Sequence, residues 1–160
     1  MPPAPPKREQ RKTLMEPVVA PIATRAREPS DALRDMWTRR TSSEAYQAML
    51  PGRRDLPIYQ ARDAILQCVA TSQVVVLSGE TGCGKSTQLP SYLMEDCLAR
   101  GEPCKMYVTE PRRISAITLA ERVSQELGEK PRSMGSPESL VGYAIRLESQ
   151  IGANTRLIYA

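Results

Sequence analysis

Gly79-Glu80-Thr81-Gly82-Cys83-Gly84-Lys85-Ser86, entered from the apolar run Val74-Val75-Val76-Leu77, is the stretch that decides the fold. Its spacing, G-x-x-x-x-G-K-[ST], is that of a phosphate-binding loop, and its setting is the one such a loop needs: a short β-branched strand before it and an amphipathic helix after it. Gly79, Gly82 and Gly84 allow a tight turn that aims successive backbone N–H groups inward, where side chains would block a phosphate. The following helix adds the positive end of its dipole to the same pocket. Lys85 is placed to reach the β- and γ-phosphates of a nucleoside triphosphate, and the Ser86 hydroxyl to take one position on Mg²⁺. Thr87 offers a second hydroxyl near the α- and β-phosphates. Thr81 and Cys83 fill slots that the motif leaves open, which makes filler a better reading of Cys83 than a redox switch. ATP and Mg²⁺ are therefore the expected cofactors.

Beyond the loop, a helix is expected from about Lys85 to Arg100, closed by Gly101. A strand is expected at Lys105–Thr109, then a helix through Leu127 stopped by Gly128. A surface loop at 129–139 and strands at Leu140–Tyr143 and Arg156–Tyr159 follow. Before the loop, Pro57 suits a first helical turn, and Ile58, Ala61, Ile65 and Val69 recur at helical spacing. Ser30 is a good N-cap for the run that begins at Asp31. Leu33 with Trp37 and Tyr46 with Leu50 are one-turn pairs of a single helix or of two short docking helices, which Pro51-Gly52 is expected to end.

Residues 1–29, rich in Pro and mixed in charge, bury too little to offset their ordering entropy and are expected to be disordered. Val74–Leu77 reads as a buried strand. The class is α/β: a parallel sheet covered by helices on both faces. A helical lead-in at 30–56 precedes a nucleotide-binding domain at 57–160.

Composition sets broad bounds. With 160 residues, 41% hydrophobic and 25% charged, the chain suits one compact domain with an extension. It contains no Phe and 4% aromatics, so its core must be largely aliphatic. A net charge of +4 fits a polyanionic partner without demanding one. The 4 cysteines lack C-x2-C spacing and no His is present, which argues against a zinc site and for reduced thiols. No apolar run approaches the roughly 18–20 residues of a membrane span. The N-terminus has basic residues with no apolar stretch behind them, unlike a secretory signal. Glu9, Glu16 and Glu28 speak against a transit peptide, which leaves the cytoplasm, with the nucleus as the alternative.

Four blocks narrow the function further: GETGCGKSTQLPSYL (79–93), TEPRRISAITLAERVSQELG (109–128), SLVGYAIRLES (139–149) and NTRLIYA (154–160). In this order and spacing they resemble the DEAH-box (DEAH/RHA) family of ATP-dependent RNA helicases. The stretch at 42–66 is similar to the lead-in of the family's larger members. The resemblance implies the first part of a P-loop NTPase, RecA-like domain, incomplete here. It also implies that Arg112, Arg113 and, more weakly, Ser115 contact single-stranded RNA, and that Arg62 stacks on the adenine base. Glu80 would stand near the Mg²⁺ beside Ser86. Physically, two adjacent guanidiniums where a strand end opens a helix make a sound phosphate grip. Single-stranded or structured RNA is the implied partner, with a ribosome or other ribonucleoprotein as its setting.

Hydrolysis needs carboxylates that hold Mg²⁺ and orient water. The family's D-E-x-H block and second RecA-like domain do not occur in these residues, so the chain alone is expected to bind nucleotide and to be inactive as a helicase. Glu110 is a poor substitute beside Pro111-Arg112-Arg113. The alternatives are a small P-loop kinase or nucleotidase, and a non-enzymatic fragment that binds RNA or protein.

Overall fold

The computed structural model describes residues 29–160. The tail read at 1–29 lies, but for its last residue, outside the described residues.

Helix α1 (Asp31–Thr41) begins where Ser30 caps it, the Ser30 Oγ accepting the Leu33 N–H at 3.4 Å. Ser43 repeats the device for α2 (Glu44–Arg54), accepting the Tyr46 N–H at 3.3 Å. The lead-in is thus two helices, not one. Pro51-Gly52 does not end α2, contrary to the sequence reading. Pro51 lacks an N–H to give, but its carbonyl accepts the Asp55 N–H at 3.0 Å, and burial of Arg53 one residue beyond Gly52 holds the last turn in place.

A 3-10 turn at Pro57–Ala61 leads into α3 (Arg62–Thr71). Ile58 and Ile65 bury against Tyr92 as their spacing predicts. Helix α4 (Lys85–Arg100) starts and stops at the expected residues, Gly101 closing it at φ +74. Strand β1 (Met106–Val108) and helix α5 (Arg113–Glu126) follow, then β2 (Val141–Ile145), β3 (Glu148–Gln150) and β4 (Leu157–Tyr159). Gly128, at φ +68, has no room for a side chain: a Cβ there would stand 2.6 Å from the Tyr46 nitrogen. The stop of α5 therefore also lets α2 approach it closely.

The sheet order is β1-β4-β2-β3. Leu157 lies between Met106 and Val141, and Tyr159 between Val108 and Tyr143, both in parallel register. Alternation along each strand puts these six side chains on one face. That face packs on Met94 and Leu98 of α4 and on Ala116, Ala120 and Val123 of α5, with Trp37 and Tyr46 part of the same core. The Trp37 and Tyr46 rings meet edge-to-face at 5.7 Å.

Three expectations are corrected. The sheet is mixed: a reversal at Leu147, at φ +71, turns the chain back so that β3 pairs antiparallel to β2. Among the described residues, both helices on the sheet, α4 and α5, join one core on one face, and at β1 the opposite face shows Tyr107 to solvent. Finally, Val74–Leu77 is no strand. Val74 and Val76 are 79% and 91% exposed, because neither sheet edge, β1 or β3, pairs with that segment.

Candidate functional site

The loop residues lie between exposed Val76 and the first turn of α4. Gly82 and Gly84 take φ +84 and +99, the left-handed turns that the motif's glycines allow. A Cβ on Gly84 would also press Ile58 at 3.0 Å and Leu56 at 3.2 Å, so the loop is seated on the 3-10 turn before α3. Cys83 donates its N–H back to the Glu80 carbonyl at 3.4 Å and accepts the Ile58 N–H on its own carbonyl at 3.2 Å. The N–H groups of Gly82, Gly84, Lys85 and Ser86 give no hydrogen bond to a backbone carbonyl among the described residues. Those of Lys85 and Ser86 are orphan donors of a helix start, the kind of group that an anion can use.

Lys85 Nζ donates to the carbonyls of Gly79 and Glu80, each at 2.6 Å, and lies 3.5 Å from Cys83 Sγ. The ammonium is thus folded over the loop it serves, on the wall of a cavity of about 450 Å³ that Pro57, Leu77 and the loop also line. Ser86 and Glu80 are exposed, and Thr87 Oγ1 contacts the Gly84 carbonyl at 3.3 Å. A bent run of free amides, one ammonium and one free hydroxyl suits a triphosphate. The fit to Mg²⁺ is narrower. Among the described residues no three His, Cys, Asp or Glu side chains converge on a metal position. An ion here would depend on phosphate oxygens and water beside Ser86.

The first turn of α4 is held from below. Pro90 has no N–H, so the Ser86 carbonyl four residues earlier lacks its helical partner. Tyr159 supplies one, its Oη donating to Ser86 O at 2.9 Å. Burial, and then the nearby Glu126 and Glu110, push the Tyr159 hydroxyl pKa well above its usual value, so it remains a donor. A second support is polar and buried. Gln88, fully enclosed, accepts from Arg53 Nε at 2.9 Å and donates to Glu126 at 2.6 Å and to Thr87 Oγ1 at 3.0 Å. Arg53 continues to Glu95 at 2.6 Å. Burial raises the Glu95 carboxyl pKa while Arg53 opposes that rise. Neither Tyr159 nor this network was singled out from sequence. A proline one turn into a helix that opens on a phosphate loop was the available signal, since it frees a carbonyl that something must satisfy.

The remaining sequence-derived candidates do not line the cavity at the loop. Arg112 and Arg113, both exposed, form the N-cap and first residue of α5, and Ser115 is half-buried. They follow the end where β1 and β4 remain paired: Glu110 donates to Ala160 O at 2.7 Å, and Ala160 to Val108 O at 2.9 Å. Carboxyl ends of parallel strands are where such sheets take ligands. Arg62 places its guanidinium 5.7 Å from the Tyr92 ring centroid and pairs with Asp63 at 3.0 Å. It does not line the cavity at the loop.

Comparison with known proteins gives the kinship. The chain is 50% identical over 115 residues, 71% of its length, to the DExH-box ATP-dependent RNA helicase DExH3 of Arabidopsis thaliana. It is 42% identical over 146 residues, 86% of its length, to the ATP-dependent RNA helicase DHX29 of Mus musculus. Its curated homologues are DExH/DEAH-box ATP-dependent RNA helicases. The chain spans only 9% of DExH3, 11% of DHX29 and 13% of the Arabidopsis helicase DExH1. No protein-family profile matches it. The mixed four-stranded sheet with its five helices is compatible with part of the RecA-like domain that the resemblance implies. Among the described residues no helix is long and apolar enough to cross a membrane.

Proposed function

We propose that this chain is the nucleotide-gripping piece of an ATP-dependent RNA helicase, holding ATP–Mg²⁺ with residues 79–87 and single-stranded RNA with the Pro111–Arg113 segment and Ser115. The observation that carries the first half is that the amides of Gly82, Gly84, Lys85 and Ser86, at the start of α4 and just before it, give no hydrogen bond to a backbone carbonyl, beside the Lys85 ammonium. Entry of a triphosphate would let Lys85 exchange two neutral carbonyls for phosphate oxygens, a stronger charge-assisted contact. Ser86 and Glu80 face solvent where the metal would sit, and Tyr159 fixes the turn that carries Ser86.

For RNA, Arg112 and Arg113 are free of ion pairs among the described residues and stand at the start of a 14-residue helix. That arrangement suits sequence-independent contact with a phosphate backbone. Arg62, beside Tyr92, is the residue that would stack on the base. The segment by itself should bind without turnover, because among the described residues no three His, Cys, Asp or Glu side chains converge on a metal position.

The test is a pair of titrations on the folded chain. A fluorescent ATP analogue with Mg²⁺ should saturate, and should bind more weakly by about tenfold or more in Lys85→Ala. An oligouridylate should bind with a salt dependence that flattens in Arg112→Ala/Arg113→Ala. Equal nucleotide binding by Lys85→Ala would overturn the loop assignment.

A further inference from the structure

Gln88 sits where three elements meet. It belongs to the first turns of α4, yet its amide is completely enclosed, and its carbonyl and both amino hydrogens find protein partners. The carbonyl takes Arg53 Nε of α2. The amino group serves Thr87 Oγ1, next to Ser86, and Glu126 Oε2 at the far end of α5. Glu126 is itself almost fully buried, its other oxygen taking Arg122 Nε at 2.7 Å. Arg122 and Glu126 also line a cavity of about 470 Å³ together with Gly82, Lys85, Ser86 and Thr87. The two ends of α5 thus differ: exposed Arg112 and Arg113 at its start, and at its last residue a carboxylate bonded to the helix of the phosphate loop.

We infer that Gln88 and Glu126 are positioning residues that couple the polyanion-gripping start of α5 to the phosphate loop. The inference rests on the reading of loop and Arg pair proposed above. An α-helix of 14 residues is a stiff rod about 20 Å long. A phosphate backbone that pulls on its first turn must therefore shift or hold its last. There Glu126 meets a buried amide whose other bonds fix Thr87. Buried hydrogen bonds of this kind are directional and costly to leave unmade, so the loop cannot ignore a displaced Glu126. By linkage the effect is reciprocal: nucleotide changes RNA affinity by the same factor as RNA changes nucleotide affinity.

The decisive experiment exchanges the two groups. Fluorescent ATP analogue with Mg²⁺ is titrated into the full chain with and without saturating oligouridylate, in the parent, in Gln88→Glu, and in Gln88→Glu/Glu126→Gln. The single change sets two carboxylates against each other. The double change restores a donor–acceptor pair with its direction reversed and the net charge unchanged. RNA should change nucleotide affinity by about fivefold or more in the parent, by less than about twofold in Gln88→Glu, and again by nearly the parental factor in the double variant. A merely structural Gln88 would alter affinity or melting temperature while leaving the ratio intact, and that result overturns the inference. So does failure of the exchange to restore the ratio. Should Gln88→Glu not fold, Glu126→Gln replaces it. That variant leaves one oxygen to serve both Arg122 and Gln88, so a partial loss of coupling supports the inference and an unchanged ratio refutes it. If the parent binds both ligands without mutual effect, the coupling fails and the proposed function stands. If it binds no nucleotide, both fall.

Discussion

Val74–Leu77 and Leu157–Tyr159 are similar in sequence and opposite in fate. Each is a short apolar run with β-branched character, and each reads as a strand. Leu157–Tyr159 lies between β1 and β2 with all three residues fully buried, whereas Val74 and Val76 are exposed and pair with no strand among the described residues. Local sequence supplies the propensity to be a strand; neighbours with free N–H and C=O groups turn it into one. The same contrast runs through the site: its frame of Tyr159, Gln88 and Arg53 is buried, while Ser86, Arg112 and Arg113 are exposed.

The largest effect should come from splitting the buried pair in the frame. Arg53→Ala leaves Glu95 enclosed without its cation, a loss of about 3–5 kcal/mol in chemical denaturation. The pH dependence has a definite sign. Arg53 is what lowers the Glu95 pKa against burial, so its removal lets that pKa climb further. A raised carboxyl pKa favours the protonated folded state, so the deficit should be smallest at acid pH and grow as pH rises through the folded-state pKa. A deficit that shrinks with rising pH contradicts the burial of Glu95.

Next comes the direct comparison of the two runs. Leu157→Ala removes a buried side chain and should cost about 2–5 kcal/mol, and Val76→Ala, on an exposed side chain, no more than about 0.5 kcal/mol. Urea midpoints of the two variants check this; equal losses would mean that 74–77 is buried in solution. A smaller effect tests the strap beneath the loop. Tyr159→Phe leaves the Ser86 carbonyl without its donor at a cost of about 1–3 kcal/mol, read in thermal melts, and should weaken binding of the ATP analogue as well. The smallest belongs to the exposed rim: removing Arg112 or Arg113 alone should leave stability unchanged and lower the salt slope of RNA binding by about one unit.

Legibility in the sequence follows the same division. Elements defined by local chemistry were readable at the residue. Ser30 caps α1, Lys85–Arg100 is a helix closed by Gly101, and Gly128 ends α5, because caps and left-handed turns depend on the residue itself. The left-handed turns at Gly82 and Gly84 were readable for a related reason, since a glycine-rich run before a helix start sets its own backbone. What depends on distant partners was not. Pro51 stays inside α2 because Arg53 is gripped by Gln88 and Glu95, dozens of residues away. The antiparallel β3 depends on a left-handed Leu147, a residue type with no preference for that turn. Gln88, Glu126 and Tyr159 look like ordinary helix and strand residues until their partners are in view.

The claim beneath all of this is that the turn at 79–87, with its free amides and the Lys85 ammonium, holds a triphosphate. Equilibrium titration of the folded chain with a fluorescent ATP analogue and Mg²⁺, beside Lys85→Ala of equal melting temperature, tests it most directly. The parent should saturate, and the variant should bind more weakly by about tenfold or more, as loss of a charged hydrogen bond of about 1.5–3 kcal/mol requires. No saturable signal from the parent, or curves that superimpose, would contradict the account.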